Sequence, residues 1–325
     1  MIKTRPNLDV LEQLVPLVCE DRPELKQVTF TSATPFQTAE TSLAVLKEEI
    51  TGRISPAISW RPQDSLPRII LCWGKCRVGS TAFANLLGRA GIPSYYQPLK
   101  ALLRHHLVGD EIPYWHLPTG QDLVLIKETS GPYSLPECLF NPLTTLLRAG
   151  FPASRISLVI MEREPDVCLD SWFRKWGHRL GESQILTHFV LSSLNRHRIE
   201  NIARLFGISP LVFRIEEASR PENMKKYFSG LNLMDLYSPA IFEKWQAVDE
   251  AKGSNAALFF PDEPAPFYVP NLHSANRKFH YRRPEIEFVT DRHRRVIEKY
   301  RLNQLYAAYR CADLSQKNWP DKIAS

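Results

Sequence analysis

What most constrains the fold is a series of short, unbroken apolar runs, each followed by a stretch with helical spacing. The runs are Arg68-Ile69-Ile70-Leu71-Cys72-Trp73, Asp122 to Lys127 (DLVLIK), Arg155 to Met161 (RISLVIM) and Leu211 to Ile215 (LVFRI), with a shorter candidate at Ser94-Tyr95-Tyr96-Gln97. Between them, helical spacing covers Thr81–Arg89, Leu99–Leu107, Pro142–Arg148, Asp166–Trp176 and Ile185–Phe206. A strand that is apolar at every position is buried on both faces, the signature of a parallel sheet covered by helices. The expected class is therefore α/β, a central parallel sheet flanked by helices. In such sheets ligands bind beyond the carboxyl ends of the strands, so the residues just after each run come first.

Composition narrows the rest. The chain has 325 residues, 44% hydrophobic and 23% charged, which suits a soluble globular enzyme and excludes disorder, collagen and coiled coil for the whole chain. A net charge of +6 suits an anionic ligand but is too small to imply nucleic acid. Cysteines at 19, 72, 76, 138, 168 and 311 form no CxxC pair, and no histidines flank them at metal spacing. They read as reduced thiols of a cytoplasmic protein. Met1 to Pro6 is not followed by an apolar segment, so no secretory signal is expected. No run approaches the ~18 apolar residues that span a bilayer, and no membrane partner is expected. Residues 1–67 read as an N-terminal extension or lid, with a helix over Leu8–Val18 and a loop punctuated by Pro56, Pro62 and Pro67. Residues 68–325 read as the main domain, closing on an amphipathic helix over Asp291–Tyr309 with Val296, Ile297, Tyr300, Leu305 and Tyr309 facing the core.

The turn after the first run reads Gly74-Lys75-Cys76-Arg77-Val78-Gly79-Ser80-Thr81. Its frame, GxxxxG and then a hydroxyl residue, is that of the Walker A loop, whose backbone N–H groups and following helix N-terminus cradle phosphate oxygens. Ser80 stands where a nucleotide triphosphatase has Lys, and the run 155–161 leads into Glu162-Arg163 rather than a magnesium-binding Asp. A metal-dependent kinase thus lacks two working parts. The loop's charge sits instead on Lys75 and Arg77.

Arg77-Val78-Gly79-Ser80-Thr81 resembles the 5′-phosphosulfate loop of sulfotransferases that use 3′-phosphoadenosine 5′-phosphosulfate (PAPS). Leu125-Ile126-Lys127-Glu128-Thr129 resembles that family's Leu-Ile-Lys-Thr-His segment, with the lysine kept as Lys127 and Thr129 in place of the usual histidine base. Arg163-Glu164-Pro165-Asp166-Val167-Cys168-Leu169-Asp170-Ser171 resembles the 3′-phosphate segment, an Arg at a strand end with a Ser eight residues later on the next helix. An Arg fork plus a hydroxyl suits a terminal phosphate. The three matches lie in family order across about residues 68–176.

The resemblance implies the P-loop NTPase-like sulfotransferase fold and an enzyme that transfers a sulfuryl group in line from PAPS to a small-molecule acceptor. A hydroxyl is the preferred acceptor group over an amine, 3′,5′-ADP is the product and no metal is needed. It implies that Lys75, Arg77, Val78, Gly79, Ser80 and Thr81 hold the 5′-phosphosulfate, that Arg163 and Ser171 hold the 3′-phosphate, and that Lys127 neutralises charge on the sulfuryl group. Glu128 is the nearest replacement for the absent base. His106, with His105 beside it, is held in reserve, although a solvated pair at a helix end is the plainer reading. Arg277 and Lys278, in the basic run Asn276 to Arg283, are candidates to close over the 3′-phosphate, against a solvated basic loop. Trp172, Phe173 and Trp176 read as core. A homo-oligomer stays open. The alternatives are a nucleotide-binding protein of the same fold without catalysis and an ATP-dependent small-molecule kinase.

Overall fold

The computed structural model describes residues 8–32, 34–118, 120–218, 220–243, 257–267 and 281–308. The segment ahead of the first apolar run already contributes core. Helix α1 (Leu8–Cys19) buries Leu11, Leu14 and Val18. A short antiparallel pair, β1 (Thr29–Phe30) and β2 (Thr41–Ser42), leads into α2 (Leu43–Ser59). This helix is capped by Ser42 and buries Leu43, Leu46, Ile50 and Ile54 along one face. The loop expected around Pro56 is therefore corrected: Pro56 lies inside α2, and the apolar stripe of that helix outweighs the broken backbone bond.

The six-stranded sheet then forms. The chain runs through β3 (Arg68–Lys75), α3 (Ser80–Arg89), β4 (Ser94–Tyr96), α4 (Pro98–Val108), β5 (Leu123–Ser130), α5 (Leu135–Leu139), α6 (Pro142–Arg148) and β6 (Ile156–Glu162). It continues through α7 (Pro165–Trp176), α8 (Glu182–Leu205), β7 (Leu211–Arg214), α9 (Pro221–Gly230), α10 (Ala240–Glu243) and β8 (Leu258–Phe259). The strand order is β7-β6-β3-β5-β4-β8, and every pairing is parallel. Ile69 pairs with Val124 on one side and Ile156 on the other, so β3 is central and fully buried beyond Arg68.

Helix α8 packs against α1, α5, α6, α7 and β3, and most of its polar groups are enclosed. Several are satisfied from inside: Asn195 Nδ2 donates to the Phe140 carbonyl at 3.0 Å and Arg198 donates to that of Leu139 at 2.7 Å. Near the C-terminus the single expected helix is two, α11 (Asp291–Lys299) and α12 (Leu302–Ala307), broken where Arg301 takes φ 54°. Ile297 is buried and Val296, Tyr300 and Leu305 pack against the core; Tyr309 lies outside the described residues. Trp172 and Trp176 are core as expected, and Phe173 is half-buried against His293. Among the described residues no helix is long and apolar enough to cross a membrane.

Candidate functional site

From β3 the chain crosses through α3 to β4, on one side of the sheet; from β6 it goes through α7 and α8 to β7, on the other. The gap beyond the carboxyl ends of β3 and β6 is thus the topological switch point, the place where such sheets bind ligands. The loop 75–80 and Arg163 both lie there. Gly79 takes φ 80°, and a Cβ on it would stand 2.5 Å from Ile215 Cδ1, so only glycine fits. No side chain caps the N-terminus of α3, whereas α4, α5 and α6 are closed by Glu128, Ser134 and Asn141. The first N–H groups of α3 are left for an anion.

Two arginines meet at this point. Arg77 Nε donates to Ser171 Oγ at 2.9 Å, and Arg163 donates to the Arg77 carbonyl at 3.0 Å. Helix α7 clamps the loop further, with Trp172 Nε1 donating to the Cys76 carbonyl at 2.7 Å. Burial, and then the charge of Arg163, push the Arg77 guanidinium below its ordinary value. Among the described residues no carboxylate lies within ion-pair distance of either arginine, and the buried Arg163 Nε has no hydrogen-bond partner. Two adjacent cations with no carboxylate in ion-pair reach have the charge arrangement that an anion would balance. Ser80 and Thr81 are buried at the start of α3, and Val78, fully enclosed, has only its backbone to offer.

Lys127 and Glu128 sit one strand away, three and two residues before the last residue of β5, Ser130. Burial lowers the Lys127 ammonium to about 8 and raises the Glu128 carboxyl to about 7. The Lys127 Nζ stands 3.7 Å from the centre of the Tyr96 ring. Glu128 closes the N-terminus of α4, accepting from the Leu99 N–H at 2.8 Å and the Lys100 N–H at 3.3 Å. Thr129, at the family's histidine position, accepts hydrogen bonds from Gln97 and from Lys100.

Other expected residues lie elsewhere. Lys75 does not face the loop's anion cradle: its ammonium is buried against Glu162 at 2.7 Å, and Glu162 also holds Arg196 at 2.7 Å. His106 is near the far end of α4, seven residues and about 10 Å of helix rise from Leu99. Its Nε2 is 3.0 Å from Thr41 Oγ1, and burial lowers its pKa. His105 contacts the Asp262 carbonyl at 3.3 Å. Arg277 and Lys278 lie outside the described residues. Their neighbours Tyr281 and Arg283 do reach the site: the Tyr281 ring is 5.6 Å from the Arg163 guanidinium and Arg283 pairs with Glu164 at 2.7 Å.

Two nearby residues were not singled out from the sequence. Tyr96 stood only as part of a short strand. Glu263 follows β8, pairs with Arg104, and its charge acts on Lys127 and Tyr96. No periodicity or motif marks either one. Among known proteins, no family model matches the chain and no curated protein matches it.

Proposed function

We propose that this chain is a PAPS-dependent sulfotransferase of the P-loop-like fold, acting on a hydroxyl of a small molecule. The observation that carries the reading is the meeting of Arg77, Ser171 and Arg163, drawn from two sequence segments that resemble the two phosphate-binding segments of that family. The uncapped start of α3, the uncompensated charge of the two arginines and the orphaned Arg163 Nε are what a bisphosphorylated donor would fit. Bound there, the donor supplies an activated sulfuryl group.

The chain's own residues divide the remaining work. The first N–H groups of α3, with Arg77, Ser80 and Thr81, bind the phosphosulfate end, and Arg163 and Ser171 bind the 3′-phosphate. Lys127 neutralises charge that develops on the transferring oxygens, in an environment where a fixed cation acts strongly. Glu128, titrating near 7, takes the acceptor's proton; a base poised near neutrality is worth roughly 10²–10⁴ in rate. A kinase is disfavoured because the acidic residue ending β6, Glu162, is already occupied by Lys75 and Arg196.

A second reading, nucleotide binding without transfer, draws on the same Glu128, whose two oxygens are both engaged by backbone N–H groups of α4. Calorimetric titration with 3′,5′-ADP, beside ATP–Mg²⁺, tests the donor site. Binding of 3′,5′-ADP that weakens in Arg163→Ala is expected. ATP–Mg²⁺ binding alone would reject the reading, and binding with no transfer from labelled PAPS to any acceptor would favour the second.

A further inference from the structure

Lys127 is a buried cation without an acid. Its side chain is 2% exposed, and among the described residues no carboxylate lies within ion-pair distance of it. An ammonium stripped of water needs some other source of negative potential. The parallel register of β4 and β5 sets Tyr96 directly beside Lys127. The face of the Tyr96 ring then lies 3.7 Å from Nζ, well inside the ~6 Å over which a ring quadrupole attracts a cation. Phe260 also packs against this ring, with centroids 4.9 Å apart and planes tilted by 35°. Its hydroxyl is hydrogen-bonded to Thr81, in the first turn of α3. Tyr95, the preceding residue, instead stacks on Phe259, so the pair is not interchangeable.

We propose that Tyr96 is a positioning residue, its ring seating the Lys127 ammonium and its hydroxyl tying that seat to Thr81 at the start of α3. One residue then links β5 to the anion loop, and the cation and the helix N-terminus keep a fixed spacing. The catalytic significance of that spacing rests on the sulfotransferase reading; the seating itself does not. The other titratable groups acting on Lys127 are Cys72 and Cys76 from β3 and its loop, Glu128 from β5, and Glu263 from the segment after β8. None of them is substituted in the variants below.

The test needs no nucleotide. Protein carrying ¹³C-labelled lysine is titrated, with the Lys127 signal assigned through Lys127→Met. Tyr96→Leu, confirmed folded by thermal unfolding, is expected to lower the Lys127 titration midpoint by about one unit, a tenfold fall in the ratio of ammonium to amine at a given pH. Tyr96→Phe, which keeps the ring, is expected to hold the midpoint. An unmoved midpoint in Tyr96→Leu overturns the seating. Thr81→Val is expected to broaden or split the Lys127 signal; a single unchanged signal overturns the tie. If Tyr96→Leu does not fold, Tyr96→Met takes its place, with the same expected fall in midpoint and the same overturning result. In turnover assays, Tyr96→Leu should lower kcat about tenfold with 3′,5′-ADP affinity kept, and Tyr96→Phe, which keeps the seat and loses the tie, should recover only part of it. A wild-type protein that transfers nothing overturns the sulfotransferase reading alone, since the titrations judge Tyr96 without it.

Discussion

Lys75 Nζ lies 2.7 Å from Glu162 Oε2, and both groups are shut off from solvent. The loop's first basic residue therefore belongs to the interior. Glu162 also binds Arg196 at 2.7 Å, and Arg196 binds Glu200 at 2.7 Å, so four alternating charges run from the loop into α8.

Removing one member of such a chain strands the others. Glu162→Gln leaves Lys75 buried without a counter-charge and Arg196 held by Glu200 alone, and is expected to cost about 3–5 kcal/mol in urea unfolding. Lys75→Met should cost less, because Glu162 keeps Arg196. Once folded, Lys75→Met is expected to bind 3′,5′-ADP as the wild type does, while Arg77→Ala is not. Burial works to raise the Glu162 pKa, but Lys75 and Arg196 outweigh it and hold it low. Its contribution to stability is thus present above the ordinary carboxylate range and lost as pH falls through its depressed value.

Glu128 and Lys127 should leave opposite marks on the pH dependence of stability. Burial raises Glu128 from 4.5 to about 7, so its folded form holds a proton that the unfolded chain has released. Its contribution is present below pH 4.5 and lost as pH rises through about 7. Burial lowers Lys127 from 10.5 to about 8, so its contribution is present above 10.5 and lost as pH falls through about 8. Urea midpoints measured across this range should show a shallow dip between the two values. Glu128→Gln should flatten the acid limb and Lys127→Met the alkaline one.

Gly79 is held by both conformation and space. Gly79→Ala is expected to destabilise by roughly 1–2 kcal/mol from its left-handed backbone alone, with a further steric cost against Ile215. Adding Ile215→Ala should recover only the steric part. A double-mutant cycle on unfolding free energy checks this, and strict additivity of the two changes would reject the contact.

For the reaction, Lys127→Ala is expected to cut turnover strongly while 3′,5′-ADP affinity falls less. Glu128→Gln should lower the rate by roughly 10²–10⁴ if it takes the proton. If Glu128→Gln keeps its rate and Glu263→Gln loses it, the proton goes to the carboxylate on the segment after β8. Initial rates with labelled donor distinguish the two.

Much of this arrangement is legible in the sequence. The apolar runs around Ile69, Val124 and Val159 mark strands because their burial is complete on both faces. The meeting of Arg77, Arg163 and Ser171 follows from where those runs end. Other features left no local trace. Leu258 and Phe259 make a strand too short to carry a period. Pro56 masked a helix whose apolar stripe, Leu43 to Ile54, was nonetheless present. The buried polar residues of α8 imitate a solvent-facing surface, because their partners lie far away in sequence. For the same reason Lys75 looked free for a ligand, its partner Glu162 being a full crossover away.

The central place of β3 also bears on how the protein is made. Ile69 leaves the ribosome well before its partners Val124 and Ile156 are synthesised. At about 5–20 residues per second, the wait for the second neighbour is on the order of ten seconds. Until β5 emerges, this eight-residue segment has no strand to pair with, and until β6 follows, one of its edges stays open. Nascent chains arrested short of β6 should therefore be the ones that chaperones hold and that aggregate when released, whereas chains extended past it should resist both.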